Sequence, residues 1–292
     1  KTSQLLDDVQ ISIQMRPLTY TRKLSELWVG LSTIEAKWRS FENILSPDTY
    51  ILGSVIPNED LVQHILQLPA NTAMYWQDQW IAFRASTPQS EHTQLVYLEE
   101  QPTFIQFPED LLEANSQALA YEIKPNTFDL NAFSELGNTC INFQNCYIDP
   151  SASITGSILD ASQGAIFIGK NVTLQIGTYI QGPAAILADS VTNLGAKIRP
   201  FTTIGPGCKV GGEISASIFF PYSNKSHEGF IGNSIIGSFC NLGALTTCSN
   251  VRNDLKPVHL YNYATNKPRN TGCKSFGILL GDYVTTGIHT KF

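Results

Sequence analysis

The sequence predicts an α/β domain followed by an all-β parallel β-helix of hexapeptide repeats. Three observations carry that prediction. Every sixth residue from Ile168 to Val210 (Ile168, Leu174, Ile180, Ile186, Thr192, Ile198, Ile204, Val210) is aliphatic or threonine. Four places after each of the first seven stands a residue no larger than valine: Val172, Thr178, Ala184, Ser190, Ala196, Thr202 and Cys208. This period is neither that of a helix nor the two-residue alternation of an ordinary strand. It makes each unit one flat wall of a solenoid, with the aliphatic stacked inward and the small residue fitted to the corner. Third, only Gly30 and Gly53 of the 21 glycines precede residue 137. The composition shift divides the chain into 1–136 and 137–292.

In the first part, residues 31–38 read as helix and 50–55 as strand. Pro57-Asn58 opens a helix carrying Leu61, Val62, Ile65 and Leu66 at helical spacing. Residues 80–83 and 95–98 are short runs of strand type. Pro108, followed by Glu109 and Asp110, starts a helix through Ala120, with acids where the helix dipole favours them. In the second part the rhythm begins at Ile148 and Ile154, with a looped insertion at 160–164. It slips after Val210, resumes at Ile231, Ile236 and Leu242, and returns at Leu280 and Thr286. The irregular segments 219–230 and 251–272 are expected to leave the solenoid as loops, where such folds carry chemistry. The chain opens on Lys1 and stops at Phe292 in mid-rhythm, so further residues are expected at both ends.

The 292 residues suffice for two cores. No run approaches the ~18 apolar residues of a membrane span, and the opening KTSQLLDDVQ lacks a secretory pattern. Six cysteines without a CxxC pair read as free thiols in a reducing cytoplasm. A net charge of −6 argues against a general nucleic-acid binder. The charge is uneven, however. Residues 197–274 hold nine basic against three acidic side chains, leaving the rest of the chain at −12. That excess suits a polyanionic small molecule such as a nucleotide or coenzyme A, or is simply a solvated surface.

Residues 225–250, KSHEGFIGNSIIGSFCNLGALTTCSN, resemble the acetyltransferase half of the bifunctional UDP-N-acetylglucosamine pyrophosphorylase/glucosamine-1-phosphate acetyltransferase family. Lys225, His227, Phe230, Gly232 and Asn241-Leu242-Gly243-Ala244 stand where that family carries a lysine, a histidine, an aromatic, a Gly-Asp pair and an Asn-Ile-Gly-Ala-Gly-Thr turn. Asn250 matches a further asparagine, and the five-residue step from Ile231 to Ile236 is shared. Ile198-Arg199-Pro200 is similar to the family's Leu-Arg-Pro element, whose arginine contacts the sugar phosphate. Near the start, Arg16-Pro17-Leu18-Thr19 with Arg22-Lys23 is similar to the Arg-x-Pro-Leu-Thr…Pro-Lys element of sugar-nucleotide pyrophosphorylases. The whole looks like a sugar nucleotidyltransferase with a degenerate first domain and a left-handed β-helix.

The resemblance implies a divergent nucleotidyltransferase-like first domain and a homotrimer with acetyl-CoA at the seam between subunits. It implies a sugar phosphate or nucleotide-sugar as acceptor. His227 would be the general base, since an imidazole titrates near neutrality. Asn241 would position the acyl carbonyl or the acceptor, or else form an asparagine ladder at a coil corner. Arg199 and Lys225 would hold phosphate, Arg by a bidentate fork and Lys as a point charge. Arg16 and Lys23 would bind nucleotide, and Lys256, Lys267 and Arg269 would cover the coenzyme A phosphates. Departures from the pattern are specific. Residues 7–15, DDVQISIQM, contain no glycine where a glycine-rich loop would cradle triphosphate, leaving only Asp7 or Asp8 for Mg²⁺. The family's tyrosine is Phe230, its Gly-Asp is Gly232-Asn233, and its second turn glycine is Leu245.

The expected function is acetyl-CoA-dependent acyl transfer in a sugar-nucleotide pathway. The alternatives are a sugar-1-phosphate nucleotidyltransferase, or a non-catalytic nucleotide-sugar-binding protein whose solenoid trimerises. A zinc site would need three converging imidazoles. His227, His259 and His289 lie far apart in sequence with no His-x-x-x-x-His pair, so no metal is expected there. His64 and His92 read as structural.

Overall fold

The hexapeptide positions become the three walls of a left-handed parallel β-helix in the computed structural model, which describes residues 4–90 and 93–292. His92 lies outside the described residues. Among those described, the first wall runs through seven strands from Ser153–Ile154 to Thr285–Thr286. The second runs through six, from Thr139–Ile141 to Phe230–Gly232, and the third through seven, from Cys146–Ile148 to Leu279–Leu280. Ile168, Ile186 and Ile204 pair in register on the third wall. Leu174, Thr192 and Val210 do so on the first, and Ile180 and Ile198 on the second. All eight are buried, each aliphatic contributing roughly 1.5–3 kcal/mol by leaving water. Thr192 is tolerated in this column because its hydroxyl meets that of Thr178 at 2.8 Å.

The slip after Val210 has a local cause. The corner Gly211-Gly212 is two residues shorter than its predecessor and the step from Ile214 to Phe219 one residue shorter, so the register partner of Val210 is Lys225, fifteen residues on rather than eighteen. Segment 219–230 therefore does not leave the solenoid as expected. It supplies the strands Ile218–Phe219, Asn224–Lys225 and Phe230–Gly232, and only 226–229 bulges at a corner. Segment 251–272 does leave, folding into the hairpin His259–Asn262/Lys267–Asn270.

The first domain is a mixed sheet of β1 (Gln4–Leu6), β2 (Thr49–Leu52), β3 (Thr72–Trp76), β4 (Gln79–Arg84) and β5 (Gln94–Tyr97), in the order β1-β2-β4-β3-β5. Its helices are α1 (Val9–Gln14), α2 (Ile34–Arg39), α3 (Glu59–Leu66) and α4 (Pro108–Glu122); α5 (Leu130–Glu135) precedes the first coil. The Asn58 side chain caps α3 by accepting from the Leu61 N–H at 2.7 Å. Asp110 holds the start of α4 by accepting from the N–H groups of Gln106 and Phe107. Neither α1 nor β3 was legible as an element in the sequence.

Helix α4 joins the two halves. Leu119 and Ile123 pack on Ala185 and Leu187 of the third wall. The buried Asn115 accepts from Gly30 N–H at 2.8 Å and Thr203 hydroxyl at 2.9 Å, and donates to Phe201 O. Ile218, Phe220, Ile235 and Phe276 share one apolar cluster with the first domain. The third wall is thus covered, while outward residues of the other two, such as Lys197, Arg199, Lys209 and Asn241, are exposed. Among the described residues no helix is long and apolar enough to cross a membrane.

Candidate functional site

The bulge 226–229 is held from every side. Its four successive carbonyls all accept hydrogen bonds: Ser226 O from Asn193 Nδ2 at 2.8 Å, His227 O from Lys225 Nζ at 2.8 Å, Glu228 O from Leu245 N–H at 2.9 Å, and Gly229 O from Glu213 N–H at 3.2 Å. Asn193 reaches Ser226 across Gly211, which has no side chain to intervene. The backbone is pinned while the His227 side chain stays exposed, an arrangement that presents an imidazole on a rigid support.

Beyond the bulge the chain enters the second wall. Asn250 Nδ2 donates to Asn233 Oδ1 at 2.6 Å, and the Phe230 ring and the Asn250 amide crowd Gly232 so closely that a Cβ there would collide with the ring. Asn233, in place of the family's aspartate, thus becomes the acceptor that orients Asn250. Arg199 is exposed at the end of the same wall, where the register from Lys197–Ile198 through Glu213–Ser215 leads to Gly232. Two coils separate them, roughly 10 Å at the usual strand spacing.

Asn241 stands apart, on the first wall, where it accepts from Asn224 Nδ2 at 2.8 Å. The two asparagines form a ladder, on the strands of the wall and not at the coil corner of the alternative reading. Leu245 occupies a corner at φ 60°, a left-handed conformation in which glycine is the unstrained residue.

Lys225 requires a correction. Its side chain fills the inward column above Val210 and is buried, its ammonium donating to Gly211 O at 3.1 Å and His227 O at 2.8 Å. A phosphate cannot reach it there. Burial pushes this ammonium down to about 8, against the attraction of Glu228. The folded chain therefore releases a proton between pH 8 and 10.5 that the unfolded chain retains, so this group makes stability rise with pH across that window, by up to about 3 kcal/mol. The buried thiols of Cys208 and Cys248, pushed up to about 12 and about 11, act oppositely above pH 9. The expected result is accordingly a difference: in denaturant titrations from pH 7 to pH 10, wild type gains on Lys225→Met. Parallel curves would contradict the buried ammonium.

The remaining cations divide. Arg269 is tied to Glu109 and lies 3.8 Å over the Phe107 ring, so it clasps the hairpin to the first domain and is not free for a coenzyme A phosphate. Arg252 pairs with Asp254. Lys256 and Lys267 are exposed.

In the first domain the segment lacking glycine is helix α1. Asp8 caps it by accepting from Ile11 N–H at 3.0 Å and also accepts from the Trp80 indole. Asp7 accepts from Leu24 N–H at 3.0 Å, and burial raises its carboxyl above the usual range. Both carboxylates hold backbone, and the N–H groups that a phosphate loop would offer are turned into a helix; these residues do not fit a triphosphate with Mg²⁺. Arg16 lies over the Tyr20 ring. Arg22 forms an ion pair with Asp282 of the last coil, so this element ties the domains together. Lys23 is exposed at a cleft of about 360 Å³ that also includes Glu26, Glu35, Trp38, Arg39 and Glu42. His64 bonds Asp60 O on α3. His227 and His289 share a corner of the solenoid, whereas His259 is in the hairpin. Among the described residues no three His, Cys, Asp or Glu side chains group as metal ligands would.

Fold and site together describe a hexapeptide β-helix joined to an α/β domain, and parts of the chain are similar to known sugar-nucleotide transferases and acetyltransferases. Residues 42–127 match the family model described as sugar nucleotidyl transferase. The bifunctional protein GlmU of Methanocaldococcus jannaschii is 36% identical over 99 residues, covering 33% of this chain and 24% of that protein. The bifunctional sugar-1-phosphate nucleotidylyltransferase/acetyltransferase of Sulfurisphaera tokodaii is 30% identical over 129 residues, covering 44% and 32%. The uncharacterized acetyltransferase YaiX of Escherichia coli is 32% identical over 136 residues, covering 45% and 57%. The chain thus spans about a quarter to a third of the bifunctional relatives it matches and a little over half of the last.

Proposed function

We propose that the chain is a sugar-nucleotide-pathway transferase whose β-helix moves an acetyl group from acetyl-CoA to an amino or hydroxyl group of a sugar phosphate or nucleotide-sugar. The observation that carries this reading is the exposed His227 on a bulge whose four carbonyls are all bonded. The imidazole takes the proton of the attacking nitrogen or oxygen. The acceptor forms its bond to the thioester carbonyl carbon as the C–S bond breaks, and the departing thiolate takes the proton from the imidazolium. Arg199, with Asn250 held by Asn233, lines the wall on which the acceptor would lie, and Arg199 suits its phosphate. Lys256 and Lys267 remain as exposed cations for the coenzyme A phosphates, with Lys225 and Asn241 acting on the scaffold. The reading carries with it a homotrimer with acetyl-CoA at the seam and a cytoplasmic location, which the free thiols suit.

A nucleotidyltransferase reading is favoured by the family match over 42–127 and opposed by helix α1 in place of a glycine-rich loop. One assay separates the two. The protein is incubated with acetyl-CoA and a panel of amino-sugar phosphates and UDP-sugars, and free thiol and acetylated product are measured. A parallel set holds NTP, Mg²⁺ and sugar 1-phosphates, read by pyrophosphate. Thiol release matched by acetylated sugar is the expected result. Pyrophosphate alone would transfer the activity to the first domain, and neither product would leave a binding scaffold.

A further inference from the structure

Two cysteines lie together at the first coil of the solenoid, away from the acyl-transfer site. Cys140, in the strand Thr139–Ile141, is in register with Leu159 of the second wall; Cys146, in Cys146–Ile148, is in register with Ile166 of the third. Only the corner 141–145 separates them along the chain. Their Sγ atoms stand 3.5 Å apart, unbonded. Cys146 is fully buried, whereas Cys140, at the open end of the first coil, is half-buried and packs against the solenoid core.

We propose that Cys140 and Cys146 form a reversible dithiol–disulfide site, with Cys140 the thiol that meets a small-molecule disulfide and Cys146 the thiol that resolves it. The oxidant class is a low-molecular-weight disulfide such as oxidised glutathione. The Cys140 thiolate attacks one of its sulfurs, forming a mixed disulfide and expelling one glutathione thiolate. The Cys146 thiolate then attacks the Cys140 sulfur, forming the intramolecular bond and expelling the second. The two cysteines lose two electrons, which reduce the oxidant to two thiols, and the two cysteine protons pass through solvent to the leaving groups. The two sulfurs are already in contact, and forming the bond draws them to about 2.0 Å with the side chains turned to the disulfide dihedral. The remaining thiols lack this arrangement. The sulfurs of Cys208, Cys240 and Cys248 bond to backbone carbonyls, and neither these nor Cys273 has a sulfur in contact among the described residues. The hydrogen bond between them holds the Cys140 thiol below its usual range and, with burial, the Cys146 thiol above it, which assigns the first attack to Cys140; the contribution of that bond to Cys146 ends once Cys140 enters the mixed disulfide. The product would staple the first coil to itself across its corner, beside Phe128 and Phe133 of the cap.

The test uses the full chain carrying Cys273→Ser, which removes the other half-exposed thiol, treated with oxidised glutathione and read by intact mass. The expected product has lost two hydrogens, carries no glutathione and regains them with dithiothreitol. Adding Cys146→Ser should trap one glutathione on Cys140; adding Cys140→Ser should leave the protein unmodified. If Cys146→Ser fails to fold, Cys146→Val serves, since an aliphatic suits a position in register with Ile166. The proposal is overturned if the parent keeps all its thiols, if glutathione persists on Cys140 while Cys146 is present, or if the trapping variant takes no adduct. None of these readouts depends on acyl transfer.

Discussion

His227→Ala is expected to lower kcat/KM for acyl transfer by roughly 10²–10⁴-fold, the usual contribution of a positioned general base, while leaving the melting temperature within about 1 °C of wild type. The separation follows from the hydrogen bonds. What the bulge uses of His227 is its backbone carbonyl, which receives the Lys225 ammonium and survives the substitution. The side chain is exposed, and among the described residues the imidazole has no hydrogen-bond or ion-pair partner. Steady-state kinetics with acetyl-CoA and whichever acceptor the product assay identifies, alongside a thermal melt, provide the check. Unchanged turnover would remove His227 from the chemistry. Lost turnover with a lowered melting temperature would instead mean that the imidazole supports the fold.

Gly229→Ala is expected to disrupt both fold and activity. Gly229 adopts φ 127°, which side chains rarely adopt, and an added Cβ would press into the Thr246 carbonyl, 3.0 Å from its carbon and closer still to its oxygen. That neighbour is backbone of the next coil and cannot rotate away. Strain of about 1–3 kcal/mol in the conformation and about 1–3 kcal/mol of overpacking give a loss on the order of 4 kcal/mol. At this size the melting temperature would fall by about 10 °C. Because Glu228 and Gly229 tie the bulge to the coils above and below, the His227 support is lost with it. Chemical denaturation with the activity assay tests this. A variant of wild-type stability would show that the corner has room which its geometry denies.

Much of the solenoid was legible because its determinants repeat. Each hexapeptide position from Ile168 to Thr192 meets its equivalent eighteen residues and one coil on, so a period in the sequence is a column in space. The α3 and α4 starts were legible because Asn58, Pro108 and Asp110 act on backbone within three or four residues of themselves. The motif around His227 was legible as a resemblance, and its residues do converge in part: His227, Phe230 and Asn250 flank one corner and wall, whereas Asn241 lies on another.

What lay beyond the sequence were the partners that only folding supplies. Lys225 looked like a surface cation because the rhythm breaks at Gly211-Gly212, and only the register of the fifteen-residue coil turns it inward above Val210. Arg269 looked free because Glu109, 160 residues away, is what holds it. Asn193 and Gly229 carried no chemical signal, yet one accepts responsibility for Ser226 two coils on and the other for the approach of Thr246. The sequence by itself determined which aliphatics of the regular coils point inward and where α3 and α4 begin, since repetition and local capping act over short range. Tertiary structure alone decided which charges are free, which are paired and which imidazole stands on a rigid support, because burial and ion pairing depend on what the other coils and the first domain bring alongside.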